Sequence, residues 1–166
     1  FGQVFAFAAG GDAGGVSIPI RGPVTIQSAF SVEPVSITST QITKSVSGEG
    51  DGTKRGSDTM GMKHRVDSGI YCTFGSINPQ LAERTDFSDA DALALKAILP
   101  RMFENDASSA RPDGSMEVLK VVWWQHNCKS GRYSSAKVHG SLTVNADGSI
   151  DIAPLDGLEP EIINGF

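Results

Sequence analysis

The sequence predicts an α+β domain, with helices on one side of an antiparallel sheet. Strand-like runs lie on both sides of a long polar excursion, an amphipathic helix pattern follows them, and a strongly apolar strand follows the helix. That order, strand, excursion, strand, helix, strand, fits one domain over residues 1–166.

Residues 1–7 are apolar and run into glycines at 10, 11, 14 and 15, which reads as the end of a buried element followed by a mobile loop. Val16–Ile20 and Val24–Phe30 are strand material broken by Arg21-Gly22-Pro23. Val35–Ile42 alternates: Val35, Ile37, Ser39 and Gln41 share one face, and Ser36, Thr38, Thr40 and Ile42 the other. Neither face is strongly apolar, as expected of a strand leaving the core. From Val46 to Thr59 there is almost no apolar residue, and glycines recur at 48, 50, 52 and 56. Such a segment cannot pack, so it is expected to be an exposed loop inserted between two strands, since Gly69–Ile77 returns to strand character.

Asn78-Pro79 joins a capping residue to proline at the first helical position, predicting a short helix through about Arg84. Ser88 caps a second helix, with Asp89 and Asp91 at the positive end of its dipole. Leu95, Ile98, Leu99 and Met102 have the spacing of a core-facing stripe, and Pro100 should kink the helix. Met116–Gln125 is the strongest strand pattern. Its neighbours Trp123 and Trp124 point to opposite faces, so at most one is available to stack on a ligand, and core packing is the simpler use of both. A hairpin of Gly140–Val144 and Ser149–Ile152, turning at Asn145-Ala146-Asp147-Gly148, precedes an acidic tail, so residues 145–166 form an acidic C-terminal hairpin and tail.

A formal net charge of −5 argues against nucleic acid only if it is evenly spread. It is not. From Asn145 onward Asp147, Asp151, Asp156, Glu159 and Glu161 stand without a single Lys or Arg, which accounts for the whole excess. Between Thr43 and Val66 the cations Lys44, Lys54, Arg55, Lys63 and Arg65 outnumber Glu49, Asp51 and Asp58, and His64 lies among them. A local basic patch governs phosphate binding more than whole-chain charge does. Cys72 and Cys128, both in apolar stretches, suit a reducing compartment as small buried hydrophobes rather than as a disulfide. No apolar run approaches the roughly 18 to 20 residues that span a bilayer and no basic leader opens the chain, so a cytoplasmic protein without membrane association is expected.

Enzyme motifs are missing from the sequence. There is no Gly-x-Ser-x-Gly, no phosphate loop ending in Gly-Lys-Ser/Thr and no His-Glu-x-x-His. His126-x-Cys128 lacks the paired spacing of a zinc site and reads as a satisfied or exposed strand end. No catalytic residue, metal or cofactor is expected. The informative stretch is Lys54 to Arg65, where two cationic clusters flank Met60-Gly61-Met62 and combine phosphate-neutralising charge with apolar side chains able to pack on bases. Composition alone leaves a solvated loop with chance charges equally open.

Thr59-Met60-Gly61-Met62-Lys63-His64-Arg65-Val66-Asp67-Ser68-Gly69-Ile70-Tyr71 resembles the thumb-exit segment of the "Cas seven" backbone subunit of type I CRISPR effector complexes, similar in particular to subtypes C and B. Arg21-Gly22-Pro23-Val24, Ser31-Val32-Glu33-Pro34-Val35 and Ile37-Thr38 resemble its palm strands and the entry to its thumb. Phe87-Ser88-Asp89-Ala90-Asp91, Met102-Phe103-Glu104-Asn105-Asp106 and Ser109-Ala110-Arg111 are similar to its helix and the loop after it. The resemblance is collinear over roughly residues 1–135 and covers the C-terminal portion of the family pattern; the family's first strand and helix have no counterpart, which suggests an incomplete domain.

The resemblance implies an RRM-like (ferredoxin-like) antiparallel sheet with a β-hairpin thumb inserted at residues 36–68. It implies a non-catalytic subunit that binds CRISPR RNA, meets target DNA through the guide, and assembles with copies of itself and other effector subunits. Arg21, Lys44, Lys54, Arg55, Lys63, His64 and Arg65 are the implied RNA-backbone contacts, with Met60 and Met62 wedging beside bases. Met62 stands where the family has arginine and Ala107 where it has a basic residue, which shifts the expected grip toward Lys54 and Arg55. The rival readings are a type III-like subunit cutting target RNA through Asp58 or Asp51 with a divalent metal, and a protein-interaction module without nucleic acid.

Overall fold

The computed structural model describes residues 1–7, 15–43 and 60–166. Short antiparallel strands dominate and helices are few, the α+β class that the sequence predicts. In chain order the strands are β1 (Gln3–Phe7), β2 (Val16–Ile20), β3 (Val24–Ile26), β4 (Phe30–Ser31), β5 (Ile37–Thr43), β6 (Met60–Val66), β7 (Tyr71–Cys72) and β8 (Gly75–Ile77). Helices α1 (Pro79–Ala82) and α2 (Asp89–Ile98) follow, then β9 (Lys120–Trp124), α3 (Ser135–His139), β10 (Leu142–Val144), β11 (Ile150–Ile152) and β12 (Pro160–Asn164). The chain divides into two compact units, Phe1–Ser28 with Thr73–Phe166, and Ala29–Cys72.

In the first unit β1 pairs with β2, β3 with β8, β9 with β12 and β10 with β11, all antiparallel. The first apolar run was expected to be buried. It is exposed instead, because β2 is its sole strand partner among the described residues and a two-stranded ribbon leaves both faces open. The small core gathers around the C-terminal half: Val138, Leu155 and Leu158 are buried, with Trp124 and Tyr133 packed against them. Two glycines make the turns that feed it. Gly148 adopts φ 81° in the β10–β11 turn, and Gly157 adopts φ 68° where a Cβ would collide with the Arg132 guanidinium.

The helix starts follow the sequence. Asn78 Oδ1 accepts from the Gln80 and Leu81 amides, and Ser88 Oγ accepts from the Asp91 amide while the Asp91 carboxylate accepts from the Ser88 amide. Those backbone and hydroxyl donors hold the Asp91 carboxyl below its ordinary value. After Ile98 the helix tightens to a 3-10 turn at Leu99–Arg101, where Pro100 lacks the amide that an α-helical turn needs.

The core-facing stripe of α2 differs from the expected one. Ala92, Leu95, Lys96 and Leu99 are the partly buried positions, while Ile98 and Met102 are exposed. The cause is β12, in the segment expected to be a tail. It pairs along β9 and sets Glu161 opposite Trp123. The Lys96 ammonium bonds Glu161 at 2.5 Å and lies 5.7 Å from the Trp123 ring centroid, so a lysine takes an inward position. The two tryptophans do point to opposite sides, Trp123 toward Lys96 and Trp124 toward the Val138–Leu155–Leu158 cluster.

His126 is satisfied, its Nδ1 accepting from the Arg132 amide at 3.0 Å. Cys128 is exposed rather than buried, since it lies past the end of β9 in a turn closed by the Gly131 amide donating to its carbonyl. Cys72 is half-buried, and burial pushes its thiol upward. Among the described residues no helix is long and apolar enough to cross a membrane.

Candidate nucleic-acid interface

The second unit, Ala29–Cys72, is built on one antiparallel ribbon. Its base is the β4–β7 pair, and Val32 donates to the Ile70 carbonyl just beyond it. Further out, Glu33, Pro34 and Val35 cover the gap that Ser68 and Gly69 cover opposite, before Asp67 donates to the Ser36 carbonyl and β5–β6 pairing begins. One extra residue on the outgoing strand is a bulge, and Pro34 is tolerated there because no ladder bond is asked of it. The bulge has a consequence for chemistry. Side chains alternate with period 2, so a one-residue slip would move every β5 side chain to the other side of the ribbon.

The register of β5–β6 pairs Ile37 with Val66, Thr38 with Arg65, Ser39 with His64, Thr40 with Lys63, Gln41 with Met62, Ile42 with Gly61 and Thr43 with Met60. Directly paired residues share a face. Lys63 and Arg65 therefore lie on one side with Thr38, Thr40 and Asp67, and Met60, Met62 and His64 lie on the opposite side with Gln41 and Ser39. The side-chain bonds agree with this division. On the cation side Asp67 Oδ2 accepts from Thr38 Oγ1 at 2.8 Å and Ser36 Oγ at 3.1 Å, and its other oxygen lies 3.5 Å from Arg65 Nε. The Thr38 and Ser36 hydroxyls, and then the Arg65 charge, hold the Asp67 carboxyl below its ordinary value. On the methionine side Ser39 Oγ bonds His64 Nδ1 at 2.8 Å, and the Gln41 amide reaches the Met60 sulfur at 3.0 Å.

Both sides are open. Met60 is 69% and Met62 54% exposed, and Lys63, His64 and Arg65 are exposed as well. An isolated two-stranded ribbon with two solvated faces is marginally stable in water, so such an element gains from a ligand that covers it.

The site residues expected from sequence are thus divided three ways. Met60, Met62, Lys63, His64 and Arg65 are together on β6, but on alternating sides. Arg21 belongs to the other unit, exposed in the link between β2 and β3. Lys44, Lys54 and Arg55 lie outside the described residues, as do Asp51 and Asp58 of the cleavage alternative. Sequence reasoning missed the partners Ser36, Thr38, Ser39 and Asp67. Their signal was the alternation of 35–42, which separates Ser39 from Ser36 and Thr38 but does not say which β6 residue each one meets.

Among its described residues the first unit has a concavity of about 310 Å³, lined by Trp124, Ile150, Ile152, Leu155, Leu158 and Ile162, with Glu159 as the titratable group in its wall. The Trp124 Nε1 donor is buried without a hydrogen-bond partner among the described residues.

With this geometry in place, the sequence comparisons give the class. The family pattern of CRISPR-associated protein Cas7 matches residues 1–157, and the chain belongs to that family. Proteins of this family are backbone subunits of multi-subunit CRISPR effector complexes bound to CRISPR RNA. No match was found among curated proteins.

Proposed function

We propose that this chain is a non-catalytic, CRISPR RNA-binding backbone subunit of a type I effector complex, akin to subtypes C and B, with the β5–β6 ribbon as the thumb that lies over the guide. The observation that carries the reading is the exposed ribbon, with Lys63 and Arg65 on one side and Met60, Met62 and His64 on the other, in a chain of the Cas7 family. Cations neutralise phosphates in any sequence context, and methionine side chains pack on bases without reading them. Sequence-independent grip is what a backbone subunit requires, because pairing between guide and target does the reading. An RRM-like sheet, several copies along one guide and a cytoplasmic location belong to the same reading. Arg21, Lys44, Lys54 and Arg55 are its further RNA contacts.

The test is charge reversal. Lys63→Glu with Arg65→Glu should weaken binding to a single-stranded guide-like RNA and reduce the slope of log affinity against log salt by about 0.7 for each lost phosphate contact. Unchanged affinity and slope in filter binding would sink the assignment. Magnesium-dependent cleavage of the bound RNA that disappears in Asp58→Ala would replace it with the nuclease alternative.

A further inference from the structure

We propose that Ser39 positions His64 as a sugar-contacting donor, so that the methionine side of the ribbon selects RNA over DNA while the opposite side takes phosphates. The inference rests on the RNA-binding reading and assigns to Ser39 and His64 a task that reading does not contain. Its starting point is that His64, although flanked in sequence by Lys63 and Arg65, is across the ribbon from both. Around it on its own side are Ser39, Gln41 and Met62, none of them cationic. A phosphate would be drawn to the side where Lys63 and Arg65 stand, and the methionine side is left to bases and sugars.

The Ser39–His64 bond then sets what the imidazole offers. The 2.8 Å Ser39 Oγ–His64 Nδ1 contact fits either direction of donation; in this proposal the hydroxyl donates, which puts the ring proton of the neutral imidazole on Nε2. The outward group is then a single N–H beside exposed methionines that suit a base face. A ribose 2′-hydroxyl accepts such a bond, and deoxyribose has no group there; this hydroxyl is what allows a protein to tell RNA from DNA at a given position. In this arrangement Ser39 acts through its bond to His64, which makes it a positioning residue.

The experiment compares an unstructured single-stranded RNA with DNA of the same sequence on the 166-residue chain, together with the ring-nitrogen NMR spectrum of His64. Wild type should favour RNA and show the Nε2–H tautomer. Ser39→Ala and His64→Ala should each lower the RNA-to-DNA affinity ratio by roughly 3- to 10-fold, the effect of one hydrogen bond, without altering the salt slope. Ser39→Thr, which keeps the hydroxyl on a residue well suited to a strand, should retain both the ratio and the tautomer. Lys63→Gln should do the reverse, reducing the salt slope and preserving the ratio. If RNA still binds but Ser39→Ala and His64→Ala leave the ratio unchanged, or reduce the salt slope instead, this inference is overturned while the RNA-binding reading stands. If wild type binds no RNA, both fall.

Discussion

The Lys96 ammonium lies 5.7 Å from the centroid of the Trp123 ring, held there by a 2.5 Å bond to the Glu161 carboxylate of the neighbouring strand. The lysine side chain is only 16% exposed, so its methylenes pack as well as its charge. Lys96→Ala should destabilise the chain by about 1–2 kcal/mol, more than an exposed ion pair gives, because the ring contact is lost too. In a double-mutant cycle Lys96→Met with Glu161→Gln should show a coupling of roughly 0.5–1 kcal/mol in urea titrations. Strict additivity would mean the ion pair contributes nothing.

The start of α2 depends on Ser88, which caps Asp91 and is capped by it in return. Ser88→Ala should cost about 1 kcal/mol and Ser88→Gly a few tenths. Equal losses for the two variants in thermal melts would show that the hydroxyl does not act as a cap.

Trp124 has its Nε1 buried without an acceptor among the described residues. An unmet donor of this kind costs about 1–3 kcal/mol, so removing it offsets much of the packing that a smaller ring gives up. Trp124→Phe is therefore expected within about 1 kcal/mol of wild type, against roughly 2–4 kcal/mol lost in Trp124→Ala. A Phe variant as unstable as the Ala variant would mean the indole nitrogen is bonded in solution.

Asp67 gives the ribbon a pH dependence. The Thr38 and Ser36 hydroxyls, followed by Arg65, favour the ionised carboxyl and hold it below its ordinary value of 3.8. A depressed folded-state value contributes stability that is complete above the unfolded one, and it is lost as pH falls through the folded one. Carbon NMR of the Asp67 carboxyl should titrate below 3.8, and amide protection of β5–β6 should decline over that range. In Asp67→Asn that decline should be absent; a titration above 3.8 in wild type would contradict the bonding described.

Met60 and Met62 share a side of the ribbon that, among the described residues, holds neither Lys nor Arg. Replacing both with alanine should weaken RNA binding by about 0.3–1.5 kcal/mol, the range of a sulfur–aromatic contact, and leave the salt slope intact. A changed slope would place phosphates on this side and count against the two-sided arrangement.

Local chemistry was legible in the residues themselves. Ser88 and Asn78 announce their helices because a cap is a contact between near neighbours, and Pro100 ends one because the missing amide is its own. The α3 helix was equally open to reading, from Ser134 at its start and Gly140 at its end, and was missed because five residues are too few to show a stripe. The alternation of 35–42 already assigned Ser39 and Thr38 to different sides.

What the sequence by itself determined, then, is each element's own shape and the alternation of its side chains, since both are set by residues a few positions apart. Which side of the ribbon bears His64 together with Ser39, and that Pro160–Asn164 returns to pair with Lys120–Trp124 and turns Lys96 inward, were decided only by the tertiary structure. Pairing register joins residues dozens of positions apart, and a bulge of one residue at Glu33-Pro34-Val35 is enough to reverse the side that every β5 residue presents.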